Sequence, residues 1–292
     1  ERLSFEMKSA TCSFNPECGR EYKGSAIKAA QPQRVWIVGA GPAGLSAALS
    51  AADKGHRVEV FEKETEPGGQ LLSASRPPHK SGFMDWVKWA TRKLEKASVP
   101  IHYGHAVSAD EIKKQKPDAV ILACGAYPVV APITGLNSRI VADDRDVLTG
   151  KIALKSPAVI LGAGYVGMET ADYLLSKGIE VTVLEMQKFP PVNKLTAHGY
   201  WLHKRIKDGG GRLFFGAKVL AIENGGVRYH QGDSEEEVSA ALIITAMGAR
   251  SENTLKDVCK ELTIPYWIVG DAKSPRRILE AIHEGHKVVE EI

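Results

Sequence analysis

Two glycine triplets, Gly39, Gly41, Gly44 and Gly162, Gly164, Gly167, carry the most specific chemistry in this chain. Each has the spacing Gly-x-Gly-x-x-Gly, and an acid follows 18 residues after the last glycine, Glu62 in one case and Glu185 in the other. Those residue types at that spacing suit a dinucleotide. The first glycine permits a tight turn after a strand, the second lets a pyrophosphate approach the backbone, and the third lets the next helix pack against the strand. The helix N-terminus then offers free N–H groups and a partial positive charge to phosphate. Pro42 loses nothing in the first helical turn, where its missing N–H would be unpaired anyway. Glu62 and Glu185 are placed to accept hydrogen bonds from ribose hydroxyls. A single motif of this kind also occurs in α/β cores that bind nothing; two copies in register favour binding over that bland alternative.

The elements that must position these residues repeat. Residues 35–64 align without gaps to residues 158–187 at an offset of 123, with 11 of 30 positions identical. In each copy an apolar run suited to a buried parallel strand meets the glycine turn. A helical stretch follows and ends at Gly55 or Gly178, and a second strand closes on the acid. This predicts an α/β fold with two Rossmann-like dinucleotide-binding domains. Helices are expected at 82–97, near 196–208 and from about Arg276 to the end. Strands are expected near 101–107 and at 119–124, 212–222, 227–230, 241–247 and 267–269. The second unit reads as inserted into the first. Residues 31–150 plus 254–292 form the first domain, 151–253 the second, and 1–30 an N-terminal segment.

Composition bounds the rest. At roughly 150 residues per domain, 292 residues suit two domains. With 43% hydrophobic and 25% charged residues the chain is of ordinary globular type, not disordered. A formal net charge of +3 gives too weak a field for nucleic-acid or membrane-surface binding, and the run Lys113-Lys114-Gln115-Lys116 reads as a solvated helix face. No apolar run approaches the roughly 20 residues that span a bilayer. Four cysteines make no disulfide framework, so a reducing cytoplasm is the expected compartment. The N-terminus has neither Met nor a signal-like apolar run and is expected to be an interior cut of a longer chain.

GAGPAG at 39–44, Gly68-Gly69-Gln70-Leu71, Ala123-Cys124-Gly125 and Gly270-Asp271 together resemble the two-domain flavoproteins of the pyridine nucleotide-disulfide reductase superfamily, which includes glutathione and thioredoxin reductases. The resemblance covers nearly the whole chain. It implies FAD at the first glycine motif and NAD(P)H at the second. On the FAD side it implicates Gly39, Gly41, Pro42, Ala43, Gly44, Glu62, Lys63, Gly69, Gln70, Leu71, Val107, Ala123, Cys124, Gly125, Gly270 and Asp271. On the other side it implicates Gly162, Gly164, Val166, Gly167, Glu185 and Gly248. Asp271 would reach the ribityl chain, and the helix starting near Arg276 would aim its N-terminus at the flavin pyrimidine, favouring the anion of the reduced ring. Cys124 stands where the family often has Thr and is read as a backbone-driven substitution. No catalytic side chain is expected, because hydride passes between cofactors. Glu185 would repel a 2'-phosphate and neither Met186 nor Gln187 offsets it, which favours NADH over NADPH.

Disulfide reductases need two cysteines close together beside the flavin, and the segment after Gly68-Gly69 has none, nor does the second domain hold a Cys-x-x-Cys. The electrons must leave by another route. Thr11-Cys12-Ser13-Phe14-Asn15-Pro16 resembles a stretch of the multidomain old-yellow-enzyme relatives, among them 2,4-dienoyl-CoA reductase and trimethylamine dehydrogenase. In that family the matching Cys is the last of four ligands to a four-iron four-sulfur cluster that follows an FMN-binding TIM barrel. Cys12 would therefore be a metal ligand in the intact enzyme only. The third ligand would fall just before Glu1, and the barrel would be the absent partner. The resemblance implies NADH oxidation, with electrons passing through FAD and the cluster to FMN and thence to an activated alkene. A scaffold domain that binds ADP without FAD, as in trimethylamine-dehydrogenase-like enzymes, is the alternative, and an apo fragment is a third. His283 and His286 lack a third ligand and read as a surface pair. His102, His105, His198 and His203 form no triad with a nucleophile. Trp86 and Trp89, with Phe83, read as core packing or as a face toward the barrel.

Overall fold

The computed structural model describes residues 7, 10–23 and 27–292. These fall into two compact units, one of the described residues up to 71 with 82–127 and 249–292, the other of 72–81 and 128–248.

The first unit is built on a five-stranded parallel sheet in the order Tyr266–Ile268, Ala119–Leu122, Arg34–Val38, Arg57–Phe61, Ile101–His102. The central strands are apolar along their length because helices cover both faces of a parallel sheet; Val35, Ile37 and all of Ala119–Leu122 are solvent-inaccessible. The helix Pro42–Asp53 is alanine-rich, so its buried face lies close on the sheet and on the final helix, Ile278–Val288. Across the other face, Trp36, Phe61, Ile112, Val120 and Leu122 pack together with Val258 and Cys259. The helix Gly82–Lys96 buries Trp86, Val87, Ala90 and Leu94 and leaves Trp89 half exposed. Of the N-terminal segment expected at 1–30, residues 1–6, 8–9 and 24–26 lie outside the described residues, and Phe14 is its anchor on the first unit. Phe14 packs on Phe83 and Trp86, and its carbonyl accepts from Trp86 Nε1 at 3.2 Å.

The second unit repeats the plan. Its parallel sheet runs Val141–Asp143, Leu242–Thr245, Ala158–Leu161, Val181–Glu185, Arg212–Phe215. A three-stranded antiparallel sheet of Ala217–Glu223, Gly226–Gln231 and Ser234–Ser239 adjoins it in sequence. The helices Tyr165–Ser176 and Ala197–Asp208 share the core around Met168, Leu202 and Ile206, and are joined by an Arg205–Asp172 ion pair of 2.7 Å.

The unit borders differ from those expected at 150/151 and 253/254. Residues 128–150 belong with the second unit because Val141–Asp143 pairs with Leu242–Thr245, while Ile133, Leu136 and Ile140 pack in its core. Residues 249–253 belong with the first: Glu252 N–H donates to Gly125 O and Ser251 Oγ to Asp271 O. The strand expected over 101–107 is only Ile101–His102, and the run 212–222 breaks at Gly216. The final helix begins at Ile278, two residues later than expected. Ser234–Ser239, with three consecutive glutamates, is a strand that its composition conceals.

Candidate functional site

In each unit the glycine turn leaves the carboxyl end of the central strand, where neighbouring strands depart to opposite sides. Ligands of open α/β sheets bind in that crevice. The first turn is packed tightly on its protein side. A Cβ at Gly39 would lie 2.3 Å from Ala123 O, and one at Gly44 only 1.8 Å from Gly39 O. At Gly41 a Cβ would meet nothing within 4 Å, and its φ of −75° is open to any residue. Neither strain nor protein packing requires glycine there, and the backbone is open on that side. Gly162, Gly167 and Gly164 reproduce all three environments: 2.4 Å to Ala246 O, 2.0 Å to Gly162 O, and nothing within 4 Å.

The helix starts agree with this reading. Ser108, Asp143 and Thr196 each cap a helix with a side-chain oxygen, whereas neither Gly41 nor Gly164 provides one. The first-turn amides of Pro42–Asp53 and Tyr165–Ser176 therefore keep their capacity for an anion. Glu62 and Glu185 are both buried and brace their turns identically. Glu62 Oε2 accepts Ala40 N–H at 2.7 Å and Oε1 accepts Glu64 N–H at 2.9 Å; Glu185 Oε2 accepts Ala163 N–H and Oε1 Gln187 N–H, both at 2.8 Å. Each carboxylate retains lone pairs for a ribose.

Around the first turn the fold gathers several of the residues singled out in the sequence. Gly68 N–H donates to Ala40 O at 2.9 Å, which brings Gly69 against Gly41. Gln70 Nε2 donates to Asp271 Oδ2 at 2.8 Å across 201 residues of sequence. Leu71 is buried, Ala43 and Ala123 line the tight side of the turn, and Gly125 and Gly270 take positive φ. Burial pushes the Cys124 thiol up to about 11, assisted by the charge of Glu252, so it is a neutral thiol at ordinary pH. Lys63 is exposed, its charge felt at Cys124, and Val107 packs with Cys124 against the apolar cluster of Phe61 and Leu122. In the second unit Val166 is half exposed in the first helical turn, and Gly248, at φ +101°, accepts from Val129 N–H.

Cys12 is half-buried. Its Sγ accepts from Phe14 N–H at 3.4 Å and its carbonyl pairs with His283 Nε2 at 2.9 Å. His286 faces Ser50 Oγ instead, at 2.8 Å, so the two histidines are engaged in different places and are not a free surface pair. No group of three metal-ligating side chains occurs among the described residues. The histidines expected to form no triad each have a local partner: His102 pairs with Glu59, His105 with Glu111, and His203 with Val192 O. His198 belongs to a cluster that the sequence did not reveal. Glu169 Oε1 accepts from both Lys80 Nζ at 2.6 Å and His198 Nε2 at 3.0 Å, and His198 stacks on Tyr165. Burial alone would raise the Glu169 carboxyl, but the His198 hydrogen bond and the Lys80 charge hold it below the usual range. The three charged or polar side chains come from separate segments, so no local spacing announces them.

This doubled architecture defines a two-dinucleotide oxidoreductase fold. Residues 33–274 match the family model for pyridine nucleotide-disulphide oxidoreductases, and the chain belongs to that family, whose members bind FAD and NAD(P)H. It is 32% identical over 295 residues to an NADH oxidase of Thermoanaerobacter brockii, covering 99% of this chain and 45% of that protein. It is also 32% identical over 294 residues to a cinnamate reductase of Clostridium sporogenes, covering 97% and 43%. A solved 2-naphthoyl-CoA reductase aligns with TM-score 0.91 and 26% identity over 99% of this chain and 44% of its own. Histamine dehydrogenase from Rhizobium sp. 4-9 and Lactococcus lactis thioredoxin reductase share the fold, with TM-scores 0.85 and 0.71 at 19% and 18% identity. The chain thus spans less than half the length of the larger relatives. No helix among the described residues is long and apolar enough to cross a membrane.

Proposed function

We propose that this chain is the NADH-oxidising, FAD-containing module of a larger cytoplasmic reductase. The observation that carries this reading is the pair of glycine turns, each with a vacant approach at its middle glycine, an uncapped helix start and a buried acid. Only the first turn adds the Gly69-Gln70 and Gly270-Asp271 set, which supports FAD there and argues against an ADP-only scaffold. FAD supplies the capacity to take a hydride and release single electrons. The chain's own residues bind, orient and shield. Helix Pro42–Asp53 receives a pyrophosphate at its N-terminus, Glu62 accepts from a ribose, and Asp271 holds further hydroxyls. At the second turn, Glu185 accepts from the adenosine ribose and repels a 2'-phosphate, while exposed Met186 and Gln187 bring no compensating charge. We assign the onward route to an iron-sulfur cluster, with Cys12 as its fourth ligand, and to an FMN-binding barrel in the part of the enzyme outside this chain. An activated alkene is the substrate class we assign to that barrel.

The test is a visible spectrum of the protein reconstituted with FAD, titrated anaerobically with NADH and then NADPH. Bleaching of bound flavin by NADH at lower concentration than by NADPH is expected. Tight FAD binding without bleaching by either nucleotide would overturn the assignment of the second turn, and no flavin binding would overturn that of the first.

A further inference from the structure

The loop between the strand Tyr266–Ile268 and the final helix Ile278–Val288 carries Asp271, and its two ends are held by one side chain. Glu284, on the final helix, accepts Gly270 N–H through Oε2 at 2.9 Å and Arg276 Nη2 through Oε1 at 2.7 Å. Lys273 Nζ lies 3.8 Å from the same Oε1. Between these anchors Asp271 accepts Arg276 N–H through Oδ1 at 3.0 Å and Gln70 Nε2 through Oδ2 at 2.8 Å. Its backbone carbonyl takes Ser251 Oγ, and the carbonyl of Ala272 takes Asn253 Nδ2. A carboxylate has about four acceptor sites. Two are used here, one on each oxygen, so each oxygen keeps a lone pair for a hydroxyl donor.

We propose that Glu284 is the positioning residue for Asp271, fixing the Gly270–Arg276 loop so that the Asp271 carboxylate is presented, already ordered, to the polyhydroxyl chain of a flavin. The inference rests on the flavin reading of the first glycine turn. Gly270 sits at φ +62°, and a Cβ there would come within 2.8 Å of Ala43 Cβ, so the turn is seated against the glycine-turn helix itself. Without Glu284 the Gly270 N–H loses its acceptor, Arg276 loses its counter-charge, and the ligand must order the loop on binding. Pre-ordering of this kind raises affinity by removing that entropic cost. Glu284 does not touch the ligand in this scheme; it acts through Asp271.

The experiment compares wild type, E284Q and E284A. FAD dissociation constants are measured by flavin fluorescence, NADH dissociation constants by protein fluorescence, and folding by circular dichroism at the same temperature. Gln keeps an acceptor for Gly270 N–H but not the charge facing Arg276, whereas Ala keeps neither. FAD affinity is expected to fall in the order wild type, E284Q, E284A, with E284A weakened about tenfold to a hundredfold, as for loss of a charge-assisted hydrogen bond. NADH affinity is expected to stay constant, which a loss of general fold integrity would not allow. Unchanged FAD affinity in folded E284A would overturn the proposal. If E284A does not fold, E284Q decides alone: weaker FAD binding at an unchanged melting temperature supports the role, and wild-type affinity overturns it. A wild-type protein that binds no FAD would instead overturn the flavin reading, before any substitution is compared.

Discussion

Glu62 Oε2 accepts a hydrogen bond from Ala40 N–H at 2.7 Å, tying the acid that follows the strand Arg57–Phe61 to the glycine turn that follows its neighbour Arg34–Val38. Glu185 and Ala163 repeat the contact at 2.8 Å. The acid therefore has two tasks, bracing the turn with one lone pair and facing a ribose with others.

The middle and last glycines should fail differently. Gly41→Ala places a methyl in open space at an N-cap position, so stability should change by no more than about 1 kcal/mol. FAD affinity should collapse, because the methyl occupies the approach to the backbone. Gly44→Ala drives a methyl into Gly39 O and should destabilise the fold itself, by about 3 kcal/mol or more. Urea unfolding of both apo variants beside a flavin titration checks the pair; equal destabilisation would refute the distinction.

Nucleotide choice should follow Glu185. Glu185→Arg replaces a repelling carboxylate with a cation that can meet a 2'-phosphate, and the ratio of kcat/KM for NADH to that for NADPH should fall by at least about tenfold. The substitution also removes the acceptor for Ala163 N–H, so some loss of stability is expected alongside. A ratio unchanged from wild type would sink the assignment.

Asp144 makes stability depend on pH near neutrality. Its carboxyl is pushed up to about 7, chiefly by burial and then by the neighbouring Asp143 charge. An acid whose folded pKa is raised binds its proton more tightly in the native state. Its favourable contribution is complete below the unfolded value near 4 and is lost as pH climbs to about 7. Asp144→Asn should consequently leave stability little changed at low pH and raise it above pH 7, on the order of 2–4 kcal/mol. Denaturant midpoints on either side of this window are the measurement, and a pH-independent difference would contradict it.

Cys124 should be inert. With its thiol near 11, alkylation by iodoacetamide at mildly alkaline pH should reach exposed Cys18 well before Cys124. Cys124→Ser should leave NADH-driven flavin reduction at the wild-type rate, as measured by stopped-flow. A large loss of rate would make the thiol a participant.

The sequence alone determined the two strand–turn–helix repeats and the acids that close them. These features are local: a glycine turn, a buried apolar strand and a helix start each impose residue types at fixed spacings. Tertiary structure decided what depends on partners distant in the chain. Val141–Asp143 is a strand because Leu242–Thr245 lies beside it, which moves residues 128–150 into the second unit. Ser234–Ser239 is a strand because Gly226–Gln231 pairs with it, against its own glutamate-rich composition. Lys80, Glu169 and His198 meet from three segments, and Glu284 closes on Gly270 and Arg276 from the final helix. Hydrogen-bond partners of this kind are selected by the packing of whole elements, which a residue's immediate neighbours in sequence do not encode.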